Sequence, residues 1–381
     1  MRKLVFMTFI SIFLCGCTNI EEIQYEAYAV GLGIDYKDNE YHVTLQFLDF
    51  SNVAKTEQGK SDQPGQVWLG EGKGETVEDA FTKIYQGIQI PVNYDQISVF
   101  VFGKSLLENK LDKTLQGLDT NFNIRLTGLA YGTEKPINEI FTTKVPFNYP
   151  FTVSRMSQPE YMQEQYSSIP PVSLQELIYQ FNEHTKTILL PNISINEEIM
   201  KKDMENIPVT TFNGAFMIKD EEMKGLLTNN DLTGFIHVNN ESDRTTLVLN
   251  DRKEEHVQIE LLKPKLKRIM KKNENDIVIG LHIKVSAIIR ESSENILSKK
   301  MKKQLEKEIK NKAYEAYMKS KEMGGDIFQF EDYIYRYMHN DWKKLHENQE
   351  FPTLEKEDIH VSVRPLKSIN KINSGINPLI K

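Results

Sequence analysis

The chain has two cysteines in 381 residues, Cys15 and Cys17, and both stand at its very start. Nothing downstream can form a disulfide, a thiolate metal site or a redox pair, so stability must come from hydrophobic cores. Long apolar runs are also scarce. The one from Leu4 to Leu14 is 11 residues, broken by Thr8 and Ser11, against the about 20 that a membrane-spanning helix needs. Catalytic signatures are missing as well: there is no Gly-x-Ser-x-Gly elbow and no His-Glu-x-x-His, and the eight histidines are scattered. Excess positive charge is absent too. With 47 Lys+Arg against 54 Asp+Glu the formal charge is -7, which argues against a nucleic-acid partner.

What is present begins with Arg2 and Lys3, the short apolar run, and Leu14-Cys15-Gly16-Cys17. A positive n-region, an h-region too short to span and a small residue before a cysteine are the layout of an export signal cleaved ahead of Cys17. The cysteine thiolate is the nucleophile that takes a diacylglyceryl group, and two or more acyl chains hold a protein stably on a bilayer. Cys17 is therefore the expected lipidation site. Removing residues 1–16 takes away two cations and no anion, leaving 45 Lys+Arg against 54 Asp+Glu, a formal -9. The whole chain is 39% apolar, and what remains after residue 16 is long enough for two or three cores and reads as a soluble body.

Residue periodicity predicts an α+β, multi-domain protein. Tyr28, Val30, Leu32 and Ile34, then Tyr41, Val43, Leu45 and Phe47, alternate at period two around Lys37-Asp38-Asn39, a hairpin. A strand is expected near Val67-Trp68-Leu69. Thr76 with Asp79 opens a helix whose stripe is Val77, Ala80, Phe81, Ile84 and Ile88. Ile97 to Phe102 is the apolar run of a strand covered on both faces. Leu107, Leu111, Leu115 and Leu118 mark one further helix, Ile124 to Tyr131 a strand, and Pro136 the start of a short helix. Lys144 to Pro171, with five prolines, reads as a connecting segment, after which Ser173 and Glu176 cap another helix.

A second boundary is expected near Asn206-Ile207-Pro208, giving an N-terminal domain over 17–205 and a C-terminal one over 206–381. The latter is expected to hold an antiparallel sheet packed by a long helix. Its clearest strand is Ile277 to Ile289, whose alternate residues from Ile277 to Ile289 face one way. Val257, Ile259 and Leu261 supply its hairpin partner, and Val361 and Val363 a further strand. The long helix runs from Ser293 to Met323 along Leu297, Met301, Leu305, Ile309, Ala313 and Ala316, and stops at Gly324-Gly325. Phe330, Ile334, Tyr337 and Leu345 are expected to share one core-facing helical stripe.

Three features invite a ligand and fail on inspection. Gly70, Gly72 and Gly74 lie between a strand and a helix, but no Gly-Lys-Ser/Thr closes the loop, so they read as a twisted strand end; Gly31-Leu32-Gly33 fails likewise. His339 and His346 are seven apart and share a helical face, but without a carboxylate at metal spacing they make no zinc site. The nine lysines against three glutamates from Lys299 to Lys321 suit contact with anionic lipid or an acidic partner surface, but they flank an apolar stripe and need no partner, so a solvated helix face is the favoured reading.

Four blocks carry a likeness to a known family: Ala29-Val30-Gly31-Leu32-Gly33-Ile34-Asp35; Asp95 to Gly103; Phe212-Asn213-Gly214-Ala215-Phe216 with Lys224 to Leu227; and Gly325-Asp326-Ile327-Phe328-Gln329-Phe330 leading to Tyr333-Ile334-Tyr335-Arg336, Trp342 and Phe351-Pro352. With the lipobox at Cys17, the chain resembles, over nearly its whole length, the Ger(x)C lipoproteins, C subunits of the nutrient-germinant receptors of endospore-forming bacteria. Family members often carry Trp-Asp after the lipidated cysteine and glycines within the last block, where Thr18-Asn19, Gln329 and Glu331 stand here. The resemblance implies a non-enzymatic subunit without cofactor, held to membrane lipid through acylated Cys17 on the outer face of the spore inner membrane. Its implied partners are integral-membrane A and B subunits, and the three together respond to a nutrient. The rival reading, a solute-binding lipoprotein, needs a cleft between two similar lobes, and the two halves here are unlike each other. A cell-wall hydrolase lacks a catalytic constellation.

Overall fold

The computed structural model describes residues 26–48, 66–121, 124–250, 256–272, 277–291, 297–348 and 350–366. Strands β1 (Ala27–Lys37) and β2 (Glu40–Phe47) form the expected hairpin. Its turn residues Asp38 and Asn39 lie at φ 53° and 64°, the left-handed conformation that Asp and Asn tolerate and a two-residue hairpin loop requires. β3 (Trp68–Gly74) adds to β2. Helix α1 (Val77–Gly87) starts where Thr76 Oγ1 accepts the Asp79 N–H at 3.1 Å, and it buries Ala80, Phe81 and Ile84. A Cβ on Gly72 would stand 2.0 Å from the Ala80 carbonyl oxygen. The bare strand lets α1 lie against the sheet, which is the purpose the glycine run serves.

β4 (Val92–Asn93) pairs with the start of β1, and β5 (Val99–Gly103) is buried throughout and parallel to β1. Where the sequence predicts one helix there are two, α2 (Lys104–Asn109) and α3 (Leu111–Asn121), broken at Lys110. The Asn109 amide donates back to the Ser105 carbonyl, the local competition that makes asparagine a poor helix interior. β6 (Leu129–Thr133) begins later than expected from Ile124. The carbonyls of Leu126 and Gly128 instead accept N–H groups at the start of the helix after Ser173. α4 (Ile137–Thr142) follows as expected.

Residues 144–171 carry single turns and the short α5 (Glu160–Gln163), and they are anchored at both ends. The Tyr131 hydroxyl donates to the Met156 carbonyl at 2.8 Å, and Ser167 Oγ accepts the N–H groups of Asp243 and Arg244. β7 (Val172–Ser173) leads into α6 (Leu174–Phe181), capped by Ser173. β8 (Thr187–Lys202), β9 (Glu205–Lys219) and β10 (Glu222–Leu227) then complete a ten-stranded sheet in the order β10-β9-β8-β6-β5-β1-β2-β3, with β4 and β7 beside β1 and β6. Its centre is parallel and its flanks are antiparallel hairpins. Helices and the connecting segment cover both faces of the parallel strands, as such sheets demand. The boundary expected at 205/206 falls at the start of β9, just past the β8–β9 turn, so both sides of it belong to one sheet.

The second half starts with α7 (Asn229–Val238), opened by a reciprocal Thr228–Asp231 capping box. β11 (Arg244–Asn250), β12 (His256–Lys272) and β13 (Ile277–Glu291) form an antiparallel sheet. Ile279, Leu281, Ile283, Val285, Ala287 and Ile289 are buried on one face, as the alternation predicts. α8 (Lys299–Glu322) covers that face with Met301, Leu305, Ile309, Ala313, Ala316 and Tyr317, the larger of which contribute about 1.5–3 kcal/mol each by burial. α9 (Phe330–Tyr337) and α10 (His339–Asn348) follow. β14 (Ile359–Pro365) joins β13 in parallel, so the second sheet has one parallel pairing where an all-antiparallel sheet was expected. Tyr337 departs from the expected stripe: it is 70% exposed, because the chain turns at Met338 and starts a new helix.

α7 and α8 approach most closely at Gly234, where an added Cβ would lie 1.8 Å from the Lys312 carbonyl oxygen. Gly234→Ala should cost about 1–3 kcal/mol by forcing the helices apart. Gly117→Ala in α3, with nothing within 4 Å of the added atom, should be neutral or stabilising by up to about 1 kcal/mol. Differential scanning calorimetry of the two variants checks both signs.

Candidate functional site

Cys17 lies outside the described residues, but the point at which the chain after it enters the fold is defined. The Ala27 N–H donates to the Pro91 carbonyl at 2.8 Å and Asn93 Nδ2 to Glu26 at 2.8 Å, fixing the start of β1. Cys17 is nine residues before Glu26, a contour of about 30 Å at full extension. Two exposed apolar side chains occupy this end of the sheet, Ile90 beside Pro91 and Trp68 paired with Phe47.

The four sequence blocks converge in two places. The first two are β1 and β5, side by side in parallel with Gly31 opposite Val99 and Ile34 opposite Phe102. The other two contribute to one core at the junction between the halves, Ala215 and Leu227 from the third and Ile327, Phe328 and Phe330 from the fourth. There the segment from Asp326 to Arg336 is clamped onto the adjoining ends of β8 and β9.

Thr187, the first residue of β8, is held on every polar group. Its hydroxyl accepts the Asp326 N–H at 2.9 Å, its N–H donates to Gln329 Oε1 at 3.1 Å, and its carbonyl accepts from Gln329 Nε2. The Gln329 side-chain amide thus pairs with a strand end as a peptide group would. Gln329 itself sits at φ 58°, left-handed backbone that costs a non-glycine residue of order 1 kcal/mol or more. Arg268 donates to the Phe328 carbonyl.

Charges surround this point. Lys219, at the end of β9, is 6% exposed; it pairs with Glu331 at 2.8 Å and donates to the His184 carbonyl at 2.7 Å. Asp332 accepts from Lys186 at 2.9 Å, from Arg336 at 3.0 Å and from the Thr185 hydroxyl at 3.1 Å. Burial opposes ionisation of Asp332, but its bonds to Lys186 and Arg336 outweigh that and hold its pKa below the ordinary carboxylate value. The fully buried Asp326 goes the other way: burial raises its pKa although the Glu331 and Phe330 N–H groups favour the anion. The arrangement is a mechanical joint, with no nucleophile–base pair in it.

His339 and His346 stack on Trp342 at centroid distances of 5.9 and 4.7 Å. The indole lies within the set, and no group of three metal-ligating side chains occurs among the described residues. Three of the α8 lysines pair locally, Lys302 with Glu306, Lys312 with Glu315 and Lys319 with Glu322, while Lys310 reaches the Glu357 carbonyl. No described helix is long and apolar enough to cross a membrane.

Comparison with known proteins matches both halves. Residues 19–195 match the spore germination protein N-terminal domain and residues 213–365 the spore germination B3/GerAC-like C-terminal domain. The chain belongs to the GerAC family. Family members are subunits of germinant receptors. Among Bacillus subtilis (strain 168) proteins it is similar to spore germination protein KC, 24% identical over 90% of this chain and 88% of that one. It is also similar to spore germination protein B3, 26% identical over 38% of each. The crystal structure of the GerBC protein shares the fold, with a TM-score of 0.53 at 17% identity, covering 91% of this chain and 99% of that one.

Two predictions test the GerAC joint. Gln329→Ala keeps the left-handed strain and loses both bonds to Thr187, so it should cost about 1–3 kcal/mol. Gln329→Gly loses the same bonds but relieves the strain, so its urea midpoint should fall less. For Asp332, a depressed folded pKa means stability present above the unfolded value, about 3.9, and lost as pH falls through the folded one. Asp332→Asn should therefore lower stability at pH 7 and shrink the difference between unfolding free energies measured at pH 7 and pH 3.

Proposed function

We propose that the chain is the lipid-anchored, non-enzymatic C subunit of a nutrient-germinant receptor, required for spores to germinate in response to nutrients. In this reading acylated Cys17 holds the body on the outer face of the spore inner membrane, where it assembles with integral-membrane A and B subunits. The observation that carries the reading is the match of both halves to germination-protein domains, joined by a clamp that makes them one mechanical unit. The tether supports it. About 30 Å of chain keeps the Ile90–Trp68 end of the sheet near the bilayer, and confinement to a surface raises the effective concentration for subunits embedded there. Modest protein contacts then suffice for assembly.

Spores carrying Cys17→Ala should contain an intact body with the same thermal transition, but retain less of it in the inner-membrane fraction and respond weakly across a nutrient panel. Immunoblots of membrane fractions and germination kinetics check this. Unchanged membrane retention with unchanged germination to every nutrient sinks the reading.

A further inference from the structure

Away from both the tether and the clamp, residues 155–168, the β8–β9 hairpin and the start of α7 enclose an open cleft of about 390 Å³, within the size range of small-ligand sites. Among the described residues that line it, Arg155 alone is charged. The guanidinium lies over the Phe212 ring at 4.6 Å from the centroid, and Phe212 stacks on buried Tyr131 at 5.6 Å and 15°. This column fixes where the cation stands. Among the described residues three arginines are half-buried. Arg244 has Glu260 at 3.4 Å and Arg268 has the Phe328 carbonyl. Arg155 has no carboxylate and no oxygen acceptor among the described residues, although burial pushes its pKa below the usual arginine value.

The half-buried guanidinium lines the cleft with N–H donors that no oxygen among the described residues accepts, and a ring contact does not satisfy them. Its five donors sit in a planar fork that matches a carboxylate with two parallel hydrogen bonds. The other lining groups suit the rest of a small polar molecule. The side chains of Ser168, Ser194, Thr211 and Asn213 line the cleft without hydrogen-bond partners among the described residues, while Ile195 and Ile236 supply apolar wall. One cation with neutral donors balances one negative charge. A doubly charged anion would leave its second charge uncompensated.

We propose that this cleft binds a small organic carboxylate, with its two oxygens on the Arg155 fork and its polar remainder against Ser194, Thr211 and Asn213. The proposal concerns a binding equilibrium of the chain itself and stands or falls separately from membrane anchoring and receptor assembly.

The test is thermal denaturation of the purified full-length chain in detergent, titrated with acetate, lactate and neutral amino acids. Their amides serve as uncharged counterparts and sulfate as a general anion. Binding to the native state raises Tm saturably by mass action. The expected result is such a rise with at least one carboxylate, none with its amide, and an affinity about tenfold or more weaker in Arg155→Gln, the loss expected for a charge-assisted hydrogen bond. Arg155→Lys, which keeps the charge but not the fork, should fall between. If Arg155→Gln melts early without ligand, the Arg155→Lys comparison decides. No shift with any carboxylate, an equal shift with the amide, or full affinity in the Arg155 variants overturns the proposal. An equal shift with sulfate overturns the assignment to a carboxylate.

Discussion

The whole structure depends on one strand having two insides. Along β9, Phe216 and Ile218 point into the core of the ten-stranded sheet, while Ala215 and Met217 point into the core beneath α8. Successive side chains of a strand face opposite ways, so a run of alternating apolar residues normally has one dry face. Here both are dry, and every residue from Gly214 to Lys219 is buried. A one-residue slip of β9 would exchange the contents of two cores at once. That constraint explains why the segment is apolar without interruption and why it ends on a lysine that must be paired.

The clamp follows from the shared strand. Lys219 and Thr187 stand opposite each other at the ends of β9 and β8, and the segment after α8 satisfies both with Glu331, Gln329 and the Asp326 N–H. A buried cation left alone costs several kcal/mol, so closing the α8–α9 turn and finishing the first sheet are one event. The left-handed backbone at Gln329 persists because its side chain makes two bonds that no smaller residue can make.

Much of this was legible in the sequence where the signal is local. The period-two pattern placed β2 and β13 on their correct faces, whereas in β1 a bulge between Ala29 and Gly31 puts Ala29, not Val30, in the core with Leu32 and Ile34; Thr76 and Ser173 marked helix starts that the structure caps as expected. The α8 stripe read from Met301 to Ala316 is buried throughout. What escaped was the choice among distant partners. Nothing near Phe212 says that its hairpin extends the N-terminal sheet, because strand pairing is settled by both cores together. The parallel pairing of β14 is equally nonlocal. The helix break at Lys110 rests on one asparagine side chain. The clamp draws Lys186 from the loop before β8, Lys219 from β9, and Asp332 and Arg336 from α9, and each alone reads as an ordinary surface charge. Arg155 gives no signal either, since what distinguishes it is the lack of an acid near it in space.

The parallel pairing of β14 has a consequence for the order in which the molecule can assemble. Parallel neighbours cannot be joined by a tight turn, so the chain runs through α8, α9 and α10 before Ile359 reaches Leu281. Until it does, β13 has a bare edge carrying unpaired peptide groups beside an apolar face, the kind of surface that recruits strands from other chains. Whenever β14 is out of place the second sheet carries that open edge, so the chain beyond α10 protects it as much as it extends it.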